Sequence, residues 1–402
     1  MKKLLTFWIL LSGFSLVFAE EKIFNVYIDA DFSHHSESSQ SIRKGVELAF
    51  DEINHQLKGY QIKYHFLDHR GNVVRSKLNY EKFIADPHAL VIYSGIHSPP
   101  LIKNREFINV NKALTLVPWA AGGPITRYPA KENWIFRLSL DDTQVGAVIV
   151  DFAVEQKKCE QPHLLLEDTS WGQSNFRSMS LALKNKKNPA PAVTWFKWNA
   201  SQATAKKLLK NIIREKSDCI ILVANANEGA TLIKATLDLG LKLPIVSHWG
   251  ITGGNFHQKI NVDLRNQLDL TFIQSCFAFT HSKQTEFSNN VFSRVKLRWP
   301  EEIKSAIDLK AAVGFIHAYE LTRILIQAVS QTELSGDKSA DRNAIRLALE
   351  NLKSPVKGLL KTYNKPFSIF NKDTDFNAHE ALESADYCMA TYGPSDEILI
   401  IQ

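Results

Sequence analysis

Three of the eight tryptophans, Trp119, Trp171 and Trp249, stand in loops that directly follow predicted strands. Loops usually carry small polar residues, so aromatic rings at three strand ends indicate a cleft lined for a ligand with a flat, apolar surface. The alternative for any single tryptophan is a ring that caps the hydrophobic core beside its own strand. The cleft is the favoured interpretation, because otherwise all three rings would have to be caps at once.

Polar side chains occur in the same set of loops. The segment His97-Ser98-Pro99-Pro100 joins a predicted strand to a predicted helix. Ser98 is expected to cap that helix, with Pro99 in its first turn. The same geometry presents a hydroxyl and free amides to an anionic or carbonyl group, so we expect Ser98 to contact a ligand.

Two further loops add candidates for ligand binding. Ala120 and Ala121 are small enough for a ligand to approach the backbone closely. Asn225 offers an amide beside Glu228, which begins a predicted helix. A carboxylate at that position either interacts favourably with the helix dipole or receives a ligand ammonium, and the sequence leaves both roles open.

A group of carboxylates and imidazoles near the first predicted strand invites a metal-site interpretation. It consists of Asp29, Asp31, His34, His35 and Glu37. These are ligand types that bind divalent metal ions, but their spacing matches no known ligand pattern. A solvated polar loop is therefore the preferred interpretation, and no metal or other cofactor is expected.

Signatures of catalysis are missing from the sequence. It contains no GxSxG, GxxxxGK[ST] or GxGxxG motif, and no nucleophile is paired with a base. His379 and Glu380 begin a segment similar to HExxH, but Glu383 stands where the second histidine is required. A binding protein is therefore expected rather than an enzyme. An exported enzyme on an α/β scaffold remains an alternative, which turnover of a tightly bound ligand would reveal.

Predicted strands and helices alternate along the chain in two successive runs. The predicted strands are Ile23–Ala30, Gln61–Leu67, Ala89–Tyr93, Leu114–Val117, His163–Leu166, Val193–Trp198, Cys219–Val223, Pro244–Ser247, Ser368–Phe370 and Tyr387–Thr391. The predicted helices are Ser41–Gln56, Arg75–Ile84, Leu101–Asn109, Gln144–Gln156, Asn175–Asn185, Ala203–Glu215, Glu228–Leu239, Ile303–Gln331 and Arg342–Leu352. This alternation predicts an α/β fold with two doubly wound parallel sheets. Ligands of such sheets bind outside the carboxyl ends of the strands, which is where the loops described above lie.

The first 19 residues have the pattern of a cleaved signal peptide. Lys2 and Lys3 precede an apolar run, and Ala19 stands before the charged Glu20. An uncleaved membrane anchor is the alternative, but the run is short for a bilayer span. No cysteine lies at the cleavage point, so a periplasmic protein without a lipid anchor is expected. The net charge of +6 over 402 residues does not indicate nucleic-acid binding or binding to an anionic membrane.

Taken in order, several segments resemble the type I periplasmic solute-binding proteins of ABC importers, in the branched-chain amino-acid/amide (leucine-binding-protein-like) group. The segments that carry the resemblance are 41–49, 51–54, 68–72, 94–99, 117–126, 136–138 and 167–172, together with Asp142 and Gly146. Their order and spacing cover nearly the whole chain after residue 19.

The resemblance implies two lobes that close over a ligand and are joined by three crossings, near Arg137–Leu140, Ile273–Phe277 and Tyr387–Met389. Lobe 1 would then comprise residues 20–137 and 277–386, and lobe 2 residues 138–276 and 387–402. It also implies a monomeric substrate-binding component that delivers a small organic solute to an ABC permease at the inner membrane. The alternative is a periplasmic sensor that presents its closed form to a receptor or regulator.

The resemblance also guides the expected ligand contacts. They are His97, Ser98, Trp119, Ala120, Ala121, Trp171, Asn225, Glu228, Trp249 and Phe277. Family members that bind amino acids usually carry a hydroxyl where Ala121 stands and an aromatic residue near Ser38, and Trp171 replaces their usual tyrosine. These departures predict a larger or flatter ligand, such as an aromatic or amide-bearing metabolite.

Four cysteines in an exported chain permit three pairings. Cys159 lies just before one predicted strand and Cys219 begins another, and Cys276 and Cys388 lie in two of the implied crossings. We therefore expect the disulfides Cys159–Cys219 and Cys276–Cys388. Buried free thiols are the alternative.

Overall fold

The structure, a computed structural model, describes residues 22–401. The signal peptide expected at residues 1–19 lies outside the described residues. Within residues 22–401, no helix is both long enough and apolar enough to cross a membrane.

The first of two large sheets is mainly parallel. Its strands are β1 (Ile23–Ala30), β2 (Gln56–Leu57), β3 (Tyr60–Asp68), β4 (Ala89–Ser94), β5 (Thr115–Val117) and β6 (Ile135–Arg137). They lie in the order β2-β3-β1-β4-β5-β6, and β2 runs antiparallel to β3. Successive residues of β1 enter different apolar clusters, with Val26 and Ile28 in one and Tyr27 in the other. Both faces of the sheet are therefore apolar and require a helical layer.

The second large sheet ends in an antiparallel edge. Its strands are β7 (Pro162–Glu167), β8 (Ala192–Phe196), β9 (Cys219–Val223), β10 (Ile245–Ser247), β11 (Leu270–Ser275), β14 (Tyr387–Tyr392) and β15 (Ile398–Ile400). They lie in the order β15-β14-β11-β10-β9-β7-β8, and β14 pairs antiparallel with both β11 and β15. A separate hairpin joins β12 (Val356–Lys357) to β13 (Thr362–Tyr363).

Helices cover both large sheets. They are α1 (Ser36–Asp51), α2 (Val73–Ala85), α3 (Ser98–Val110), α4 (Asp142–Asp151), α5 (Ser170–Asn185), α6 (Gln202–Arg214), α7 (Ala226–Asp238), α8 (Phe256–Lys259), α9 (Val262–Arg265), α10 (Glu286–Arg298), α11 (Ala312–Ser330) and α12 (Lys338–Glu350). The helices α1 and α11 pack closely at Gly45, where an added Cβ would lie 2.3 Å from the carbonyl oxygen of Phe315.

The chain passes between the two sheets after β6, after β11 and before β14. A buried ion cluster lies beside the first passage: Arg137 Nη2 is 2.9 Å from Asp141 Oδ1, and Arg137 Nε is 2.7 Å from Glu380 Oε2. We propose the layers around the first sheet (residues 22–137 and 277–386) as lobe 1, and those around the second (138–276 and 387–401) as lobe 2.

The structure contains the two disulfides expected from the sequence, Cys159–Cys219 and Cys276–Cys388. The first joins the segment before β7 to the start of β9. The second joins the residue after β11 to β14. Since β11 and β14 both border a passage between the sheets, the second disulfide lies beside these passages.

Several sequence predictions of elements were wrong. Helix α1 begins at Ser36 rather than Ser41 and ends at Asp51, because the chain turns into strand β2. Ser368–Phe370 is not a strand, and Ile369 is 70% exposed. The predicted helix Ile303–Gln331 is regular only from Ala312 onward. Helix α10 and strands β6 and β11 are among the elements that were not predicted.

Candidate functional site

The carboxyl ends of strands from both lobes meet at one narrow cleft. Residues of lobe 1 that line it are Ile96, His97, Ser98, Pro99, Trp119 and Ala121, and residues of lobe 2 are Glu167, Trp171, Asn225, Trp249 and Gly250. The cavity between them measures about 10 Å³, which is room for about one water molecule. The side chains of the two lobes therefore almost fill the cleft themselves.

Direct contacts also join the two lobes. The ring centroids of Trp119 and Trp249 are 5.4 Å apart. The Gly123 amide donates to Ser174 Oγ at 3.0 Å, and the Gly254 amide donates to Ser38 Oγ at 3.2 Å. The structure therefore shows the two lobes closed on each other.

Trp171 combines an apolar surface with a free donor. Its ring meets His248 edge-on, with 5.0 Å between the centroids. Its indole Nε1 is buried and has no hydrogen-bonding partner among residues 22–401. An unpaired buried donor is costly, so this N–H is available to a further hydrogen-bond acceptor.

Glu167 supplies the carboxyl group of the cleft. Its Oε1 accepts a hydrogen bond from Thr169 Oγ1 at 2.9 Å, and its Oε2 accepts one from Asn225 Nδ2 at 2.9 Å. Burial, aided by the negative charge of Glu228, raises the pKa of Glu167 to about 7, although both hydrogen bonds act in the opposite direction. The group is therefore poised between its acid and its carboxylate near neutral pH.

Ser98 lies one position further into α3 than the sequence predicted, because His97 is the residue before the helix. Ser98 Oγ accepts a hydrogen bond from the Gly122 amide at 3.0 Å. Its hydroxyl proton has no acceptor among residues 22–401, so Ser98 can still donate into the cleft.

Three of the expected contacts do not line the cleft. Ala120 packs in the core of lobe 1. Glu228 accepts a hydrogen bond from the Asn199 amide at 3.2 Å. Phe277 lines a separate cavity of about 60 Å³ and packs edge-on against Phe279, with centroids 5.1 Å apart. The other seven expected contacts all line the cleft.

Glu167 was the main lining residue that the sequence reasoning missed. It ends the strand β7, whose preceding residues are mostly apolar and buried. A carboxylate at the carboxyl end of a buried strand was the signal that could have found it, because ligands bind at that edge of the sheet.

The group of possible metal ligands is not a solvated loop, as the sequence predicted. Asp29, Asp31 and His35 are buried, whereas the side chain of His34 is 63% exposed. The buried carboxylates and imidazole of this segment therefore interact with other groups in the interior. Asp29, for example, accepts hydrogen bonds from Ser76 and Asn79.

Comparisons with known proteins agree with this architecture. A family model described as "Periplasmic binding protein" matches residues 28–378. No curated protein matches the sequence.

Solved structures with the same fold share little sequence with this chain. A type 1 periplasmic binding protein from Bordetella pertussis Tohama I is 16% identical, with a TM-score of 0.77, covering 94% of this chain and 100% of that one. A leucine-binding protein from Thermotoga maritima is 13% identical, with a TM-score of 0.75 and coverages of 94% and 98%. A solute-binding protein of an ABC transporter from Rhodopseudomonas palustris HaA2, in complex with p-hydroxybenzoic acid, is 14% identical, with a TM-score of 0.73 and coverages of 94% and 95%.

Proposed function

This chain belongs to the periplasmic binding protein family, and on that premise we propose that it is the substrate-binding component of an ABC importer. In this role it is exported to the periplasm, captures a small organic solute between its lobes and delivers the solute to a permease at the inner membrane. The observation that carries the proposal is the cleft itself, where strand-end side chains of both lobes meet.

The polar groups of the cleft suit an amide. Trp171 Nε1 and the Ser98 hydroxyl are donors for a carbonyl oxygen. The Glu167 carboxylate is an acceptor for an N–H group. A primary amide presents both an oxygen acceptor and an N–H donor, so one compact group satisfies all three side chains.

A free carboxylate is a poorer match. The residues that line the cleft include neither Lys nor Arg, and Ala121 has no hydroxyl. Glu167 would repel an anionic group once it is ionised. We therefore propose an aromatic amide rather than a simple amino acid as the solute class.

The tryptophans set the shape of the solute. Trp119 and Trp249 already touch at a centroid distance of 5.4 Å. An aromatic ring held between them needs about 7 Å between the two indoles, because each stacked contact takes about 3.5 Å. The solute therefore enters when the lobes part, and the final closed form is wider at this point by about 2 Å.

The proposal is tested with protein that has been unfolded and refolded to remove any retained solute. Titration calorimetry and tryptophan fluorescence should rank benzamide above benzoate, p-hydroxybenzoate and leucine. Trp171→Phe keeps an aromatic ring but removes the indole donor and part of the ring surface, and should weaken benzamide binding up to about 10-fold. Trp195→Phe, outside the lining residues, is the matched control. Binding of short aliphatic amino acids alone would contradict the proposed solute class.

The importer role has its own test. Solute-loaded protein should stimulate ATP hydrolysis by the cognate permease complex in proteoliposomes more than solute-free protein does. If the loaded protein instead binds a receptor and leaves ATP hydrolysis unchanged, the role is that of a sensor.

A further inference from the structure

Two imidazoles and a carboxylate converge beside the cleft. Asp31 follows β1, His35 precedes α1, and His97 follows β4, the strand that pairs in parallel with β1. One potential ligand atom from each of these residues lies within 4.8 Å of the other two. All three residues are buried. We call this group the Asp31 cluster.

The geometry inside the Asp31 cluster is compact. His97 Nε2 lies 3.0 Å from Asp31 Oδ2. The His35 ring meets the His97 ring edge-on, with 4.7 Å between their centroids. Among residues 22–401, the His35 imidazole has no hydrogen-bonding partner, although it is only 9% exposed. A metal ion held between this imidazole and the carboxylate–imidazole pair would give His35 a partner.

Neighbouring groups hold the cluster in place. The His34 amide donates to Asp31 Oδ1 at 2.9 Å. Trp198 of lobe 2 packs against the His97 ring, with 5.1 Å between the centroids. His69 also flanks His97, but its own nitrogens are engaged by the Gly71 amide and the Gly95 carbonyl. Such outer contacts orient metal ligands in known sites.

We propose that Asp31, His35 and His97 form a binding site for a divalent first-row transition metal ion such as Zn²⁺. Two neutral imidazoles and one carboxylate are a donor set that Zn²⁺ accepts, and three protein ligands leave a fourth position open. Tetrahedral coordination needs about 3.3 Å between ligand atoms. The ligand atoms must therefore approach by at most about 1.5 Å, and His35 gives up no hydrogen bond in doing so.

This metal site is separate from the proposed solute site, although His97 belongs to the metal site and also lines the cleft. Its test uses the untagged protein and metal alone, without solute. Calorimetry with Zn²⁺ should show saturable binding of one ion per chain, and Co²⁺ should give the visible absorption of a low-symmetry site. His35→Gln and Asp31→Asn should each weaken Zn²⁺ binding at least about 10-fold.

A matched control separates this site from surface histidines. His88 is exposed, so His88→Gln removes one imidazole and should leave Zn²⁺ affinity unchanged. Because His35 has no hydrogen bond to lose, His35→Gln should fold, as circular dichroism will check. Asp31→Asn serves as the second probe. Absence of saturable Zn²⁺ binding, or equal affinity in the wild type, His35→Gln and Asp31→Asn, overturns the proposal.

Discussion

At the scale of the single residue, the Glu167 carboxyl makes the cleft sensitive to pH near neutrality. Burial raises its pKa from 4.5 to about 7. The folded protein therefore holds this proton more tightly than the unfolded chain does. The resulting stabilisation is complete below about pH 4.5 and is lost as the pH rises through about 7.

Glu167→Gln should remove this contribution. We expect the fall in unfolding free energy between about pH 4.5 and 7 to be smaller in the variant by roughly 3 kcal/mol. Urea unfolding at several pH values measures the difference. Solute affinity in the wild type should rise as Glu167 ionises and becomes a better acceptor, and this rise should disappear in the variant.

Glu320 offers a matched control for that experiment. Burial raises its pKa to about 7 as well, but its partners are Tyr363 and Leu360 in lobe 1, away from the cleft. Glu320→Gln should flatten the pH dependence of stability and leave the pH dependence of solute affinity intact. If Glu320→Gln abolished the pH dependence of solute affinity as well as that of stability, Glu167 would not be the group that couples binding to pH.

At the scale of the element, the helices α1 and α11 of lobe 1 pack unusually closely against each other. Gly45 permits this contact, because an added Cβ would meet the Phe315 carbonyl at 2.3 Å and the Tyr319 amide at 2.9 Å. Both obstacles are backbone atoms, which cannot rotate away. Helix α1 would have to shift relative to α11.

Gly45→Ala should therefore destabilise the protein by about 1–3 kcal/mol, despite the better helix propensity of alanine. Gly229→Ala in α7 is the comparison, because the nearest atoms to its added Cβ belong to side chains, the closest being a methyl group of Ile251 at 2.8 Å. Thermal unfolding should show the larger loss for Gly45→Ala. Equal losses at the two positions would mean that the close helix contact has no special cost.

The elements that could be predicted from the sequence were those with strong apolar patterns. Cys219–Val223 is a fully buried strand with the predicted bounds. Helix α10 was missed because its buried residues are only Ser288, Val291 and Val295, too narrow a stripe for a clear helical period.

The cleft could be predicted in part because several of its residues directly follow strands that the sequence predicts. Trp119, Trp171 and Trp249 follow strands, and parallel strands bring their carboxyl ends to one edge. The burial of His35 beside His97 depends on how distant segments pack, which local patterns do not record. The same holds for Phe277, whose position is set by the packing of α10 and α11 around it.

At the scale of the whole molecule, the proposed function requires the two lobes to separate. The contacts between Trp119 and Trp249, and between Gly254 and Ser38, must break for a solute to reach the cleft. A covalent link at the edge of the cleft would test whether this opening is required. The pair Ser38 and Gly253 is suited to it, because a Cβ at Gly253 would lie 2.9 Å from Ser38 Oγ.

A disulfide in Ser38→Cys/Gly253→Cys should lock the lobes together. A C–O bond is about 1.4 Å long, so the two Cβ atoms lie at most about 4.3 Å apart, within the range of disulfides. Gly253 has φ −75°, which other residues also adopt.

With the disulfide formed, we expect solute association to be at least about 100-fold slower than in the Ser38→Ala/Gly253→Ala control, because the binding-competent open form is depleted. Stopped-flow tryptophan fluorescence measures this rate, and mass spectrometry verifies the new disulfide beside the two native ones. Reduction of the engineered bond should restore the control rate. Rapid solute binding to the verified disulfide form would show that the solute reaches its site without separation of the lobes, which would contradict binding between them.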